Sequence, residues 1–590
     1  DLHSFPTRRS SDLRTYNPAV NKKPIILGRN RSPISKNLRI IPLGGLEEVG
    51  RNMTAFELGN DIIVVDCGLL FPEEEMMGID YVIPNTEYLE KNKKKIRGVI
   101  ITHGHFDHIG AIPHIIPRIG NPPIYATELT CAMILKRQED YKDQAPLRTN
   151  VVRKIDRIIL GGFKIEFFHV NHSIPDAVGL AIHTPMGTIV HTGDFKFDHS
   201  PVSDVPADIS KIARLGSEGV LALMSESTNA DTPGYSISES VIRDNLEQIF
   251  LNAKGRIITA TFASLVSRIQ QIADLADKYG RKLAVDGYSM KNNVEIAKKL
   301  GYITARQSTF IDVREVNNYP DNKIAILCTG AQGEGNAVLM RIVNDDHRNI
   351  KIHKGDTVIF SSSVIPGNER SVQGVKDTLY RKGAEVIHYK MMDIHSGGHG
   401  HSEDLKMMIN LIRPKYLIPI HGTYYMRKIH SDLGKSVGLK EENIFVGENG
   451  RVIEFDYRGN GKLTSEKVPS SYVMVDGLGV GDIGNVVLRD RQLLAKDGMF
   501  TIVAIIDRKT KKVLGEPQVT SRGFIYVKEN FDLVNATKKR LRDIVTKNVG
   551  DKKATPNWDH IKNAIRDDIG QFLFQKTQRR PMVLPVIIEV

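Results

Sequence analysis

From residue 38 onward the chain alternates short apolar runs with turn residues. LRIIPLGGLEEVGRNMTAFELGNDIIVVDCG predicts a strand, a Gly-rich turn, a strand, a turn and a third strand ending at Asp66. IRGVIITHGH predicts a buried strand over 96–102 that runs into a His-rich loop. GGFKIEFFHV, VGLAIHTPMGTIVHTGDF and GVLALMSEST continue the pattern among helical stretches, which argues a layered α/β architecture. Near Gly234 the rhythm changes. SISESVIRDNLEQIFLNAKG, VSRIQQIADLADKYG and MKNNVEIAKKLG have helical spacing. They alternate with the strand-like GRIITATF, RKLAVDG, NKIAILCTG and GDTVIFSSS, a repeating parallel β–α unit. From about Ala384 the earlier style returns in AEVIHYK, a His cluster, a helix at 402–412 and PKYLIPIHGTYY. A Gly-rich stretch at 471–485 reads as a linker, and the remainder predicts a small separate α/β unit.

These breaks predict an arm over 1–37, a first domain part over 38–233, an insert over 234–383 and a return over 384–460. A linker over 461–490 and a C-terminal domain over 491–590 follow. The length of 590 residues agrees, since one hydrophobic core does not grow that large. No apolar run approaches the 18 or so residues of a membrane span. The three cysteines cannot form a disulfide framework, so a reducing cytoplasm is the expected setting.

Charge changes the picture less than it first promises. The net charge is +12, which suggests a polyanionic partner. Residues 1–13 lack periodicity, resemble adapter read-through when back-translated, and are set aside as foreign. Residues 14–36 carry Arg14, Lys22, Lys23, Arg29, Arg31 and Lys36 with no acid and read as a disordered arm. Half the net charge therefore lies outside the folded part.

Chemistry concentrates in THGHFDH, residues 102–108. His103 and His105 stand two apart after a strand, where an extended chain points both the same way. Asp107 and His108 follow where the chain turns into a helix. His172, Asp194 and His421 each come just after a strand-like run, at the sheet edge where such sites assemble. Together the seven supply enough ligands for two metals. Imidazole and carboxylate without thiolate suit Zn²⁺, and Mn²⁺ is compatible. Asp66, at a strand end, is expected to orient a ligand rather than to be one. HSGGHG (395–400) places His395, Ser396 and His399 around Gly397 and Gly398, whose free amides can cradle a phosphate.

The HxHxDH pattern with the later His, Asp and His resembles the metallo-β-lactamase superfamily. The α/β insert resembles its β-CASP nucleic-acid-processing branch. SESTN at 225–229, HSGGH at 395–399 and the ending TQRRPMVLPVIIEV narrow the resemblance to bacterial ribonuclease J, over about residues 38–590. It implies a metallo-β-lactamase αββα sandwich with an inserted β-CASP α/β domain and a small C-terminal α/β domain that oligomerises. It implies a cytoplasmic zinc-dependent ribonuclease with 5′-to-3′ exonuclease and endonuclease activity on single-stranded RNA. RNA bearing a 5′-monophosphate is the preferred substrate, and rRNA processing and mRNA turnover are the processes. A homodimer or homotetramer, or a hetero-oligomer with a paralogue, follows by the same resemblance.

Carried over residue by residue, His103, His105, His172 and Asp194 hold one zinc, and Asp107, His108, Asp194 and His421 the other. Glu226 is the proton donor and His399 the proton acceptor. His395, Ser396, Gly397, Gly398 and His399 bind substrate, as do Ser264, Leu265 and Val266. A structural Ca²⁺ corresponds to Asp476 with carbonyls around Met77 and Ile79. The chain departs from the family pattern at Leu265 (usually Asn), Gly335-Asn336 (usually Pro-Met) and Gly397 (commonly Ser). Those departures leave a second reading, a weakly catalytic paralogue that acts as the RNA-binding subunit of a hetero-oligomer.

Overall fold

Alternate residues of the first three strands bury opposite faces of one sheet. The computed structural model describes residues 37–590 apart from 74, 334–336, 365–366, 478 and 549–556. The expected arm over 1–37, save Asn37 in the first strand, and the Gly335-Asn336 departure lie outside the described residues. Leu38, Ile40, Phe56, Leu58, Ile63 and Val65 face one apolar core, and Ile41, Leu43, Met53, Ala55, Ile62 and Val64 face another. Period-two alternation with both sets apolar is what a sheet covered on both sides requires.

The first core lies between two sheets. The eight-stranded sheet runs, in spatial order, Gly461–Lys467, Arg451–Asp456, Asn37–Gly44, Met53–Leu58, Asp61–Val65, Ile96–Ile100, Ile124–Ala126 and Thr149–Val151. The six-stranded sheet runs Tyr416–Ile420, Ala222–Glu226, Gly187–His191, Val178–Thr184, Phe163–His169 and Arg157–Leu160. Phe163, Phe167, Leu180 and Ile418 of the second sheet meet Ile40 and Phe56 of the first. Helices cover both outer faces. Leu89, Ile112, Ile115 and Leu129 pack on the larger sheet, and Ile212, Leu215, Leu405 and Met408 on the smaller. This is an αββα sandwich.

The insert is a six-stranded sheet in which every pairing is parallel, with apolar clusters on both faces. Its last strand is Glu385–His388, which pairs with Thr357–Phe360. The insert therefore extends past the expected end at 383. AEVIHYK has strand character, but nothing local in it says which sheet receives it. Likewise Gly461–Lys467, expected in the linker, forms the edge of the eight-stranded sheet. Val473–Asp476 pairs with Tyr81–Ile83, so the rest of that segment is anchored too. The C-terminal unit is a three-stranded sheet with Phe531–Asn548 and Trp558–Thr577 packed on one face through Leu541, Ile565, Ile569 and Leu573. Among the described residues no helix is long and apolar enough to cross a membrane, and Cys67, Cys131 and Cys328 are buried free thiols.

Candidate metal centre

All seven expected ligands converge at one end of the sandwich. His103, His105 and His172 form one group, and Asp107, His108, Asp194 and His421 a second, each with its ligand-type atoms within 4.8 Å of one another. Asp194 also groups with His172 and His399 and so stands between the two sets. The strand Ile96–Ile100 delivers the 102–108 loop, the strand Gly187–His191 delivers Asp194, and Tyr416–Ile420 delivers His421. Asp66 and His421 adopt left-handed backbone conformations, with φ of 63° and 46°, a strained state for residues other than Gly.

Neighbours fix the tautomers. The Asp66 carboxylate accepts from the Thr102 amide at 2.8 Å and lies 2.8 Å from His108 Nδ1. His108 therefore turns Nε2 toward Asp194 at 3.2 Å and Asp107 at 3.3 Å. His172 Nδ1–H donates to the Gly398 carbonyl at 2.7 Å, which leaves its Nε2 as a bare lone pair 3.0 Å from His105 Nδ1. His103 Nε2 approaches the same His105 atom at 3.2 Å. Three imidazole nitrogens in van der Waals contact cannot all be satisfied by one another's protons. His105 Nε2 is buried without a hydrogen-bond partner, and His421 Nε2 has only the Asp107 carboxylate, 3.4 Å away. Orphaned donor atoms of this kind, beside buried carboxylates, fit a cation and fit nothing apolar.

The electrostatics agree. Burial holds His105 down to about 4 and keeps His103 and His172 well below the ordinary histidine range, so their lone pairs are free. Burial works the same way on His421, but the Asp194 charge and bonds to Asp107 and Asp194 outweigh it and raise the group to about 10. Low-lying imidazoles thus stand beside the buried Asp194 carboxylate and the half-buried Asp107 carboxylate, a donor set that suits a divalent cation.

Beside the ligands, Glu226 is fully buried at the end of the strand Ala222–Glu226. Its Oε1 accepts from the Phe195 amide at 2.8 Å and its Oε2 lies 2.8 Å from His399 Nδ1. The HSGGH loop closes over this pair. Gly398 has φ of 82°, and a Cβ there would lie 2.7 Å from Ser173 Cβ and 2.9 Å from His172 Nδ1. Only glycine fits. Gly397 is exposed, with nothing closer than 3.9 Å to a Cβ, so the departure from Ser removes a hydroxyl without altering the loop's packing.

The loop at 264–266 behaves differently. Leu265 and Val266 are 4% and 1% exposed, turned into the insert, and only Ser264 keeps a partly open side chain. Leu265 begins the helix Val266–Lys278 without a side-chain cap, where an Asn would supply one. The structure therefore does not bring the Leu265 and Val266 side chains to a substrate.

A buried charge network escaped the sequence reading. Lys196 Nζ donates to Ser396 Oγ at 3.1 Å and the Ile237 carbonyl at 3.0 Å, and lies 3.4 Å from both Glu239 and Asp198. Arg268 reaches Glu239 at 2.8 Å, the Ile394 carbonyl at 2.6 Å, and Ser361. Gln271 donates to the same Glu239 oxygen at 2.9 Å. Lys196 and Arg268 are each 1% exposed. Together they tie the sandwich, the insert and the HSGGH loop into one unit. The available signal was two polar residues three apart, Arg268 and Gln271, on an otherwise apolar helix face.

Comparison with known proteins places these features. Residues 46–254 match the metallo-beta-lactamase superfamily, and 254–379 match the ribonuclease J beta-CASP domain. Residues 386–446 match a Zn-dependent metallo-hydrolase RNA specificity domain, and 486–590 the ribonuclease J C-terminal domain. The chain is 42% identical over 556 residues to ribonuclease J2 of Bacillus subtilis (strain 168), covering 94% of this chain and 99% of that one. It is 42% identical over 555 residues to ribonuclease J 1 of Streptococcus pyogenes serotype M3, covering 93% and 97%. A crystal structure of a protein of unknown function from Enterococcus faecalis V583 shares the fold at a TM-score of 0.51 and 16% identity, over 71% of this chain and 100% of that one.

Proposed function

The chain belongs to the ribonuclease J family, a metal-dependent ribonuclease of the metallo-β-lactamase and β-CASP type, and on that premise we propose how it works. It degrades single-stranded RNA from a 5′-monophosphorylated end, 5′ to 3′, and also cuts internally. It holds two Zn²⁺ ions, one on His103, His105, His172 and Asp194 and one on Asp107, His108, Asp194 and His421. It acts in the cytoplasm on rRNA precursors and mRNA, as a homodimer or homotetramer joined through the C-terminal unit.

The observation that carries this reading is the convergence of the seven ligand-type side chains beside the Glu226–His399 pair. Zn²⁺ bound there would activate water at neutral pH and withdraw charge from the phosphate. The chain's own residues do the rest. Asp66 and the Gly398 carbonyl hold His108 and His172 in the tautomers that present Nε2. His399 stands at the cluster with its Nδ1 on Glu226, so a proton exchanged with substrate passes through His399. Glu226, with both oxygens engaged and no exposure, gives or takes that proton by way of the imidazole. The amides of the HSGGH loop are the groups we assign to the substrate phosphate, with Ser396 Oγ held beside them by Lys196.

The test compares 5′-monophosphate with 5′-triphosphate RNA, with and without chelator, alongside His105→Ala. Mononucleotide release from the monophosphate RNA that needs both metal and His105 supports the reading. Undiminished release by the variant would remove the metal mechanism.

A further inference from the structure

The C-terminal unit meets the catalytic body at a seam built on one turn. Met76 N–H donates to the Glu73 carbonyl at 2.9 Å, Ile79 N–H to the Met76 carbonyl at 3.1 Å, and Gly78 has φ of 73°. The strand Tyr81–Ile83 that follows pairs with Val473–Asp476, and Asp80 accepts from the Gly477 amide at 2.8 Å. The helix Asn485–Asp497 then crosses the turn. Its Leu488 packs with Ile79 and Val82 in a small apolar cluster. One helical turn on, Arg491 Nη2 donates to Asp476 Oδ2 at 2.5 Å and Nη1 to the Met77 carbonyl at 3.0 Å. Gln492 donates to the Glu75 carbonyl at 2.8 Å.

The sequence resemblance assigned Asp476 and the carbonyls around Met77 and Ile79 to a Ca²⁺ ion, and the donor set does not fit one. A Ca²⁺ site needs six to eight oxygens around an open centre. Here the guanidinium fills that centre. Gly78 brings the turn backbone close to the arginine, whose Nη1 would lie 2.7 Å from a Cβ there. The planar fork supplies what an ion would supply, a positive charge against the carboxylate and a directed contact to a carbonyl.

We infer that Arg491 is the resident cation of this seam, a side chain that clamps the C-terminal unit to the catalytic body and makes a structural calcium ion unnecessary there. The guanidinium is tethered to the helix it secures, so the clamp is independent of free Ca²⁺. It also joins its own helix and the Val473–Asp476 strand to a turn some four hundred residues earlier.

Limited proteolysis of the full-length, zinc-loaded chain tests this, scored as the rate of cleavage between residues 476 and 498. It is run on calcium-free protein with and without added millimolar CaCl₂. Wild type is expected to cleave at the same rate in both. Arg491→Ala should cleave about fivefold faster, the scale of one partly exposed ion pair, and Arg491→Lys should fall between, since a point charge cannot span carboxylate and carbonyl. Asp476→Asn combined with Arg491→Ala should be no faster than Arg491→Ala alone. Saturable protection of wild type by Ca²⁺ that disappears in Asp476→Asn would overturn the inference. So would an Arg491→Ala rate equal to wild type.

Discussion

His399 Nδ1 lies 2.8 Å from Glu226 Oε2, and the other oxygen of that carboxylate is held at 2.8 Å by the Phe195 amide. Phe195 follows Asp194, so one buried carboxylate links His399 to the backbone next to Asp194. Burial alone would lower His399, but the Glu226 charge and bond, with Asp194 nearby, raise it above the ordinary histidine value.

Glu226 and His399 should therefore fail as a unit. Glu226→Gln keeps the shape and removes the charge. Single-turnover cleavage is expected to fall by roughly 10²–10⁴, the usual worth of a positioned proton-transfer group. His399→Ala should fall similarly, and the double variant should be little worse than either single one. RNA affinity measured by fluorescence anisotropy should change little. Additive losses would show that the two groups act separately.

Two adjacent glycines should respond in opposite ways. Gly398→Ala forces a Cβ to 2.7 Å from Ser173 and 2.9 Å from the His172 nitrogen that holds its tautomer, at a φ of 82°. Metal content by elemental analysis is expected to drop, and activity with it. Gly397→Ala meets nothing nearer than 3.9 Å and should bind metal as wild type does. Equal metal loss in both variants would mean that the loop reaches the metal site by another route.

The clustering of the seven His and Asp side chains was legible because much of their pattern is local. Four of them lie between His103 and His108, and the rest follow strand-like runs that sheet topology gathers at one edge. Asp66 could be picked out as a carboxylate at a strand end, and it lies 2.8 Å from His108 Nδ1. Lys196, Glu239 and Arg268 were not, since each is an ordinary charged residue until partners far along the chain bury it. Arg491 was hidden similarly, because its carbonyl partner, Met77, lies 414 residues away. The strands at Glu385–His388 and Gly461–Lys467 show the limit of periodicity, which marks a strand but not its sheet. Leu265 shows that a loop's place in a motif does not fix which way its side chains turn.

The Lys196–Glu239–Arg268 network should be costly to break from one side. Glu239→Gln leaves the buried Arg268 facing an amide and Lys196 with Asp198 alone, and stability in urea is expected to drop by about 3–5 kcal/mol. Burial acts to raise the Glu239 carboxyl, but the Arg268 and Lys196 charges and the bonds from Arg268 and Gln271 bring it down to about 2. A loss under about 1 kcal/mol, the scale of a surface pair, would show that solvent reaches the network.

His430 sets an acid limit on stability. It is fully buried, with Nδ1 3.0 Å from Ser227 Oγ and Nε2 without a partner. Burial pushes it down to about 3. The folded chain therefore keeps it neutral while the unfolded chain protonates it below about 6.5. The stability it allows is complete above that value and is lost as pH falls from 6.5 toward 3, at up to about 1.4 kcal/mol per pH unit. His430→Gln removes this titration but keeps a polar group near Ser227. Urea unfolding of metal-free protein between pH 7.5 and 5 should show a shallower decline in the variant, whatever its stability at pH 7.5. Parallel curves would mean that His430 takes up its proton without unfolding.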